Sequence, residues 1–232
     1  MKLPAVLDAL FPDGHDIRRD GALVSGTGRC GGMDVAVVGT TDRAAIGVDL
    51  ALALAERCLA VIRRHPGRPI LLLVDNQGQN LARREEMLGV FAYLAHLAEV
   101  LEVARSRGHR IVSLVYGEAV SGGFLAAGMI ADETYALPDA QIRVMALPAM
   151  ARVTRIPLER LEALCASSPI FAPGVENFVR LGIVEAVWTG DLGERLREAL
   201  ARPAAGDRRR ALGAERGGRL LAEAVAARVR DA

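Results

Sequence analysis

The sequence predicts an α/β fold built on parallel strands joined by right-handed helical crossovers, and three patterns predict it. Two apolar runs, PILLLVD (69–75) and IVSLVY (111–116), lack polar alternation, as strands covered on both faces do. Each is followed by residues with apolar side chains at helical spacing. From residue 69 onward strand-like and helix-like segments alternate through short connections, the signature of βαβ units. No internal repeat or low-complexity linker interrupts the chain, so one domain is expected.

Taken in order, residues 1–20 mix short apolar stretches with charge and read as an N-terminal leader segment that docks or frays. ALVSGT (22–27) and MDVAVVG (33–39), separated by glycines, predict a hairpin. Residues 48–64 predict a helix with Asp49 near its start, Arg63 and Arg64 near its end, and a Pro66–Gly67 stop. The 69–75 strand opens into NQGQ (76–79), read as a loop. A long helix over 83–107 ends at Gly108, the 111–116 strand follows, and GEAVSGGF (117–124) leads into a short alanine-rich helix to about residue 130. TYAL (134–137) and QIRVM (141–145) predict short strands, and 148–154, 157–167 and 175–181 predict helices. A last strand at 183–188 precedes a helix over 191–201. The domain proper is expected over 21–203, with 204–232 as a C-terminal amphipathic helix suited to an interface.

Composition narrows the function. The chain has 232 residues, is 51% hydrophobic and carries a net charge of +1, which gives no electrostatic footprint for nucleic acid. No apolar run approaches the roughly 18 residues that span a membrane, and no secretory signal is evident, so a cytoplasmic globular protein is expected. Aromatic residues make up only 4%, so alanine, valine, leucine and isoleucine must build a closely packed core. Lys2 is the one lysine among 29 basic residues, a bias that fits a GC-rich genome. Cys30, Cys58 and Cys165 are odd in number and unpaired in spacing, and with four scattered histidines they suggest neither a disulfide framework nor a metal site.

Two glycine motifs need separate readings. GTGRCG (26–31) matches a dinucleotide fingerprint, but a second strand follows it rather than a helix, so it reads as part of a hairpin. AVSGG (119–123) resembles the nucleophile elbow of serine hydrolases, yet the histidines are His15, His65, His96 and His109, and none follows Ser121. The segment makes better sense as an anion pocket. Ser121 suits a helix N-cap, and the N–H groups of Gly122 and Gly123 would face a ligand oxygen at the positive helix end. Tight helix–sheet packing would equally select those glycines. Asn76, Gln77 and Gly78 either line the same cavity or form a solvated loop. Glu118, the carboxylate beside the glycines, is either an acid/base group or a solvated side chain.

In this order, LVD with its glycine loop, then EAVSGGF (118–124), YALPDAQIRVM (135–145) and FVRLGIVEAV (178–187), the chain resembles the carboxyltransferase branch of the crotonase superfamily. Within that branch it is most similar to the gamma-subunit family of biotin-independent malonate decarboxylases, over about residues 20–200. The resemblance implies a crotonase-like spiral of ββα units with oxyanion holes made of backbone amides. It further implies a heteromer with a beta subunit, and malonate carried as a thioester on an acyl-carrier subunit with a CoA-derived prosthetic group. No cofactor is then bound directly by this chain. The beta and gamma subunits together release CO2 from malonyl-carrier and leave acetyl-carrier.

By motif, Gly122 and Gly123 match the amide pair that faces the biotin carbonyl in biotin-dependent relatives. Here they would hold the departing carboxylate or the thioester carbonyl, with Ser121 beside them and Glu118 or water as proton source. Asn76, Gln77, Gly78, Met145 and Ala146 are the candidate pocket residues. A chain of this length has room for one crotonase-like half only, so activity is expected to need the partner. Two alternatives stand beside this reading: a free-standing acyl-CoA hydratase or isomerase, and a non-catalytic half that completes a partner's site.

Overall fold

The computed structural model describes residues 1–167, 172–203, 206–218 and 221–231. Helix α1 (Leu3–Leu10) leads into three antiparallel strands, β1 (His15–Asp20), β2 (Leu23–Cys30) and β3 (Met33–Thr40). Then come β4 (Ala44–Ile46), α2 (Val48–Arg64), β5 (Ile70–Gln79), α3 (Arg83–Met87), α4 (Val90–Ser106) and β6 (Ile111–Val120). Strand β6 runs straight into α5 (Ser121–Phe124), which continues as a π-helical turn, Leu125–Met129. The remaining elements are β7 (Glu133–Ala136), β8 (Gln141–Arg143), α6 (Leu147–Thr154), α7 (Leu158–Ser167), α8 (Val175–Arg180), β9 (Ala186–Val187), α9 (Leu192–Ala201), α10 (Arg209–Glu215) and α11 (Ala222–Arg230).

Among the described residues the sheet order is β1-β2-β3-β5-β6-β7-β9, and every pairing from β3 onward is parallel. Period-two alternation sorts each central strand between two helical layers. Leu71 and Leu73 join Val112 and Leu114 under Val6 and Leu10 of α1 and Leu192 and Leu196 of α9. Ile70 and Leu72 face the other way, onto Leu54 and Ala55 of α2 and Leu97 and Leu101 of α4. A third cluster, with Val74, Val115, Phe124, Ile142 and Phe178, fills the carboxyl ends of the strands.

The sequence division at residue 20 does not coincide with a structural edge. Val6 and Leu10 are fully buried, and β1 pairs with β2 from His15↔Gly28 to Asp20↔Leu23. In GTGRCG, Gly26 and Gly28 lie within β2, and Gly31 and Gly32 turn the chain into β3. The expected long helix over 83–107 is broken at Gly89, whose φ of 75° no helix accommodates. The expected strand at 183–188 pairs only over Ala186–Val187. The C-terminal stretch is two helices, α10 and α11, because Gly217 (φ 70°) ends the first. The expected domain boundary at 203/204 borders residues 204–205, which lie outside the described residues, as do 219–220 of the expected C-terminal helix.

The feature that positions everything downstream is a bend in β5 and β6. They pair in step from Ile70↔Ile111 to Val74↔Val115, and then Asn76 faces Ala119, two residues on one strand against four on the other. This slip leaves the Glu118 N–H outside the ladder, and the buried Asp75 carboxylate takes it together with the N–H of Arg43 from the turn before β4. Oδ1 accepts the Glu118 N–H at 2.9 Å and Oδ2 accepts the Arg43 N–H at 3.0 Å, while the Asp75 N–H donates to Thr40 Oγ1 at 3.2 Å. Gly117 has no side chain here because a methyl would lie 2.3 Å from Asp75 Oδ1. Beyond the bend the far halves of both strands form a smaller sheet, with β4 on the β5 side and β8 on the β6 side. NQGQ is therefore strand, with Asn76 and Gly78 buried and Gln77 exposed.

A second buried carboxylate joins two helices. Helix α2 starts at Gly47, which has no side chain to cap it, and Glu85 of α3 supplies the acceptor, 2.7 Å from the Val48 N–H. That bond and the Arg84 guanidinium hold the Glu85 carboxyl below the usual carboxylate range. The stabilisation is present at neutral pH and is lost as pH falls below about 4.3 towards the lowered folded value. Glu85→Gln should accordingly flatten the fall of Tm between about pH 6 and 3; parallel curves for variant and wild type would contradict this. Asp75→Asn puts an N–H2 against a backbone N–H and should cost about 1–3 kcal/mol in urea unfolding, whereas a loss below about 0.5 kcal/mol would mean that the bend finds other acceptors.

Candidate active site

Strand β6 ends at Val120, and the following helix begins at once. The connection is made by Ser121, whose φ of 50° lies in the left-handed region that non-glycine residues rarely adopt. The helix N-cap is Val120, and no side chain caps the helix. Ser121 is therefore the first helical residue rather than the expected N-cap, because the strand stays paired with β8 through Val120↔Arg143 until the turn. The first-turn N–H groups, those of Gly122 and Gly123 included, have no carbonyl one turn earlier and project at the positive end of a nine-residue helical run (121–129).

The two glycines are needed for different reasons. A methyl at Gly123 would lie 2.7 Å from the Gly78 carbonyl carbon, 2.8 Å from Gly78 Cα and 3.0 Å from Asn76 Oδ1. The helix thus rests on the backbone of β5. A methyl at Gly122 would meet only the Gln79 side chain, with Oε1 at 3.1 Å. Asn76 Oδ1 accepts the Gly78 N–H at 3.2 Å, and Gly78, with φ 96°, leaves room for the Val120 carbonyl. Packing therefore demands a glycine at 123, whereas a side chain at 122 would meet only Gln79.

Beside Gly122 opens a cavity of about 690 Å³. Its walls are apolar, from Val90, Phe91 and Leu94 of α4 and from Leu125, Ala126 and Met129 of the π-turn. Its polar edge carries Gln79, Glu86 and Arg209. Two polar atoms next to the glycines are buried without a partner among the described residues: Asn76 Nδ2, on a residue with no exposure, and Gln79 Oε1. Buried orphans of this kind are rare in folded proteins and concentrate where function needs them.

Of the residues expected at the site, the structure brings together Asn76, Gly78, Ser121, Gly122 and Gly123. Gln77 points away and is exposed. Met145 is half-buried and Ala146 exposed, in the turn between β8 and α6; neither lines the cavity beside Gly122. Glu118 is not on a loop. It lies near the end of β6 with its side chain 14% exposed, Oε1 2.6 Å from Arg43 Nε and Oε2 2.7 Å from Arg143 Nη2. With each oxygen taken by a guanidinium, it acts as an acceptor that orders two arginines at the sheet edge. Sequence reasoning missed Gln79, Glu86 and Arg209. Gln79 sat in the NQGQ string and strand periodicity points to it; nothing in the local sequence marks Arg209, which lies 87 positions beyond Gly122.

Among the described residues no three His, Cys, Asp or Glu side chains gather as a metal-binding group, and no helix is long and apolar enough to cross a membrane. The asymmetry of the glycines sets a stability test. Gly123→Ala should destabilise the chain by about 1–3 kcal/mol through overpacking against β5. Gly122→Ala should leave the urea midpoint close to wild type, since Gln79 can yield; equal losses would overturn the assignment of separate roles.

Comparison with known proteins fits this geometry. Residues 41–232 match the family model described as malonate decarboxylase gamma subunit. One chain of a Pseudomonas malonate decarboxylase hetero-tetramer, solved in complex with coenzyme A, superposes with a TM-score of 0.81 at 28% identity, covering 98% of this chain and 97% of that one. A chain of the Pseudomonas malonate decarboxylase MdcD-MdcE hetero-dimer gives 0.73 at 27% identity, covering 91% of each. The malonyl-S-ACP:biotin-protein carboxyltransferase MADD of Malonomonas rubra is 36% identical over 170 residues, and the match spans 66% of this chain and 58% of that relative. Transcarboxylase 12S, at 20% identity and a TM-score of 0.72 over 43% of its chain, shares the crotonase-like carboxyltransferase fold. With the family model covering most of its length, the chain belongs to the malonate decarboxylase gamma-subunit family.

Proposed function

We propose that this chain is the gamma subunit of a malonate decarboxylase, acting in the cytoplasm with a beta-type subunit on a malonyl thioester borne by an acyl-carrier protein through a CoA-derived arm. The observation that carries the reading is the first helical turn at Gly122 and Gly123, with Gly122 on the wall of a largely apolar cavity of about 690 Å³. Similar chains occur in solved MdcD-MdcE hetero-dimers and in a hetero-tetramer with coenzyme A, which supports a heteromeric partner. Phe91 and Leu125 line the cavity yet are 73% and 51% exposed, and Met87 nearby is 76% exposed. Apolar surface of this kind, around a cavity open to one side, is what a partner subunit covers.

The reaction asks little of side chains. The bond between the carboxylate carbon and the α-carbon breaks, its electron pair passes into the thioester as an enolate, and CO2 leaves. The α-carbon then takes a proton to give the acetyl thioester. The Gly122 and Gly123 N–H groups meet the enolate oxygen as its charge develops, and fixed donors of this type are worth about 2.7–4 kcal/mol each in a transition state. The apolar walls from α4 and the π-turn leave the carboxylate poorly solvated, which favours its loss. Glu118 has each carboxylate oxygen engaged by an arginine, Arg43 or Arg143, which favours water as the proton source.

Two measurements test this. The purified chain alone should release no CO2 from malonyl-carrier and should gain activity on mixing with a beta-type subunit; full turnover by the isolated chain would refute the shared site. In the assembled complex Gly122→Val should lower kcat by about 10²–10³ without loss of assembly, and wild-type kcat in that variant would remove the amides from the mechanism.

A further inference from the structure

The helix that presents the amide pair is held at its other end by two arginines from distant elements. Arg209 of α10 donates from Nη1 to the Met129 carbonyl, at the last residue of the π-turn, over 2.7 Å. Arg105 of α4 donates from Nη2 to the next carbonyl, that of Ile130. Carbonyls at a helix C-terminus lack internal donors and carry the negative end of the dipole, so cations bond them well. Arg209 is itself fixed, with Nε and Nη2 on the Asp207 carboxylate at 2.8 and 2.6 Å. Arg105 is fixed in the same way by Asp132, with Nε 2.6 Å from Oδ1.

Arg209 also faces the site directly. Its side chain lines the cavity beside Gly122 and, equally, a cavity of about 530 Å³ bordered by Arg105 and Arg202 and one of about 760 Å³ under α11. It thus borders all three spaces. A π-turn closes i→i+5 hydrogen bonds and is commonly found at functional sites, and its end carbonyls are here bonded from outside the helix by the two arginines.

We infer that Arg209 is a positioning residue for the reaction: it clamps the C-terminal end of the 121–129 helical run and so holds the Gly122 and Gly123 amides in their transition-state geometry. The C-terminal segment, outside the sheet, thereby becomes part of the catalytic apparatus. Helix α10 does not depend on Arg209 for its own docking. A methyl at Gly213 would lie 2.6 Å from the Leu181 carbonyl oxygen, Leu212 is buried, and Arg216 donates to the carbonyls of Val179, Val184 and Glu185. Removing the Arg209 donors should therefore loosen the helix end without detaching α10.

The test uses the assembled beta–gamma complex. Arg209→Met keeps the alkyl stem and deletes the donors; kcat should fall about tenfold with KM unchanged, because the amides act on the transition state. Arg209→Lys restores the charge and one donor and should return kcat to within about threefold of wild type. Amide hydrogen exchange should quicken in the peptide spanning 121–130 in Arg209→Met, with β5 and β6 unchanged. Asp207→Asn, which frees the guanidinium without removing it, should move kcat and exchange in the same directions by less, and it serves if Arg209→Met does not assemble. The catalytic consequence rests on the amide-pair reading, while exchange tests the clamp alone. Unchanged exchange overturns the clamp. A loss confined to KM, or unchanged kcat with faster exchange, overturns its role in positioning, and failure of the lysine variant to recover activity does the same.

Discussion

The structure turns on the Asp75 carboxylate. Strands β5 and β6 pair in step only as far as Val74↔Val115. A slip of two residues bends both strands, and a slip leaves N–H groups without ladder partners. Asp75 accepts the one from Glu118, and its second oxygen ties the Arg43 N–H of the turn before β4 to the same point, which makes an otherwise costly bend stable. The smaller sheet, the Gly78 floor and the abrupt start of the helix at Ser121 all lie downstream of that bend.

Close approach is then paid in missing side chains, at Gly117 against Asp75, at Gly78 against Val120 and at Gly123 against Gly78. With strand and helix backbones this near, the surface of the site is made largely of main chain. The chemistry that suits such a surface is stabilisation of negative charge by fixed amides, rather than nucleophilic attack. Ser121 illustrates the point: its left-handed φ is the cost of starting a helix directly from a paired strand. An elbow of this shape can present a nucleophile, and here two glycines follow the serine into the helix. The charged groups near the strand ends are organised as internal pairs, with Glu118 between Arg43 and Arg143.

Much of the fold was legible because its signals are local and periodic. The 48–64 helix has the boundaries its apolar spacing and Pro-Gly stop implied, and the runs at 69–75 and 111–116 are the central buried strands. Where tertiary contacts override local chemistry the reading failed: NQGQ looks like a loop, and pairing with β4 and β6 makes it strand. For residues 1–20 the sequence left docking and fraying open, and Val6 and Leu10 dock on one face of the sheet. At the site, SGG and its neighbours were visible as a string, whereas Gln79 needed the strand register, and Arg209 needed the fold.

The sequence by itself determined the α/β class, the order of the central strands and helices, the strand-to-helix junction at GEAVSGGF and the family resemblance, since each is written in contiguous residues. Tertiary structure alone decided that Gly123 is demanded by packing while Gly122 opens on a cavity, that Glu118 is held by two arginines, and that Arg209 reaches the far end of the amide-bearing helix. The physical reason is the same in each case. These are contacts between backbones and charges tens of residues apart, and only the bend at Asp75 and the packing of α10 bring them within a hydrogen bond of one another.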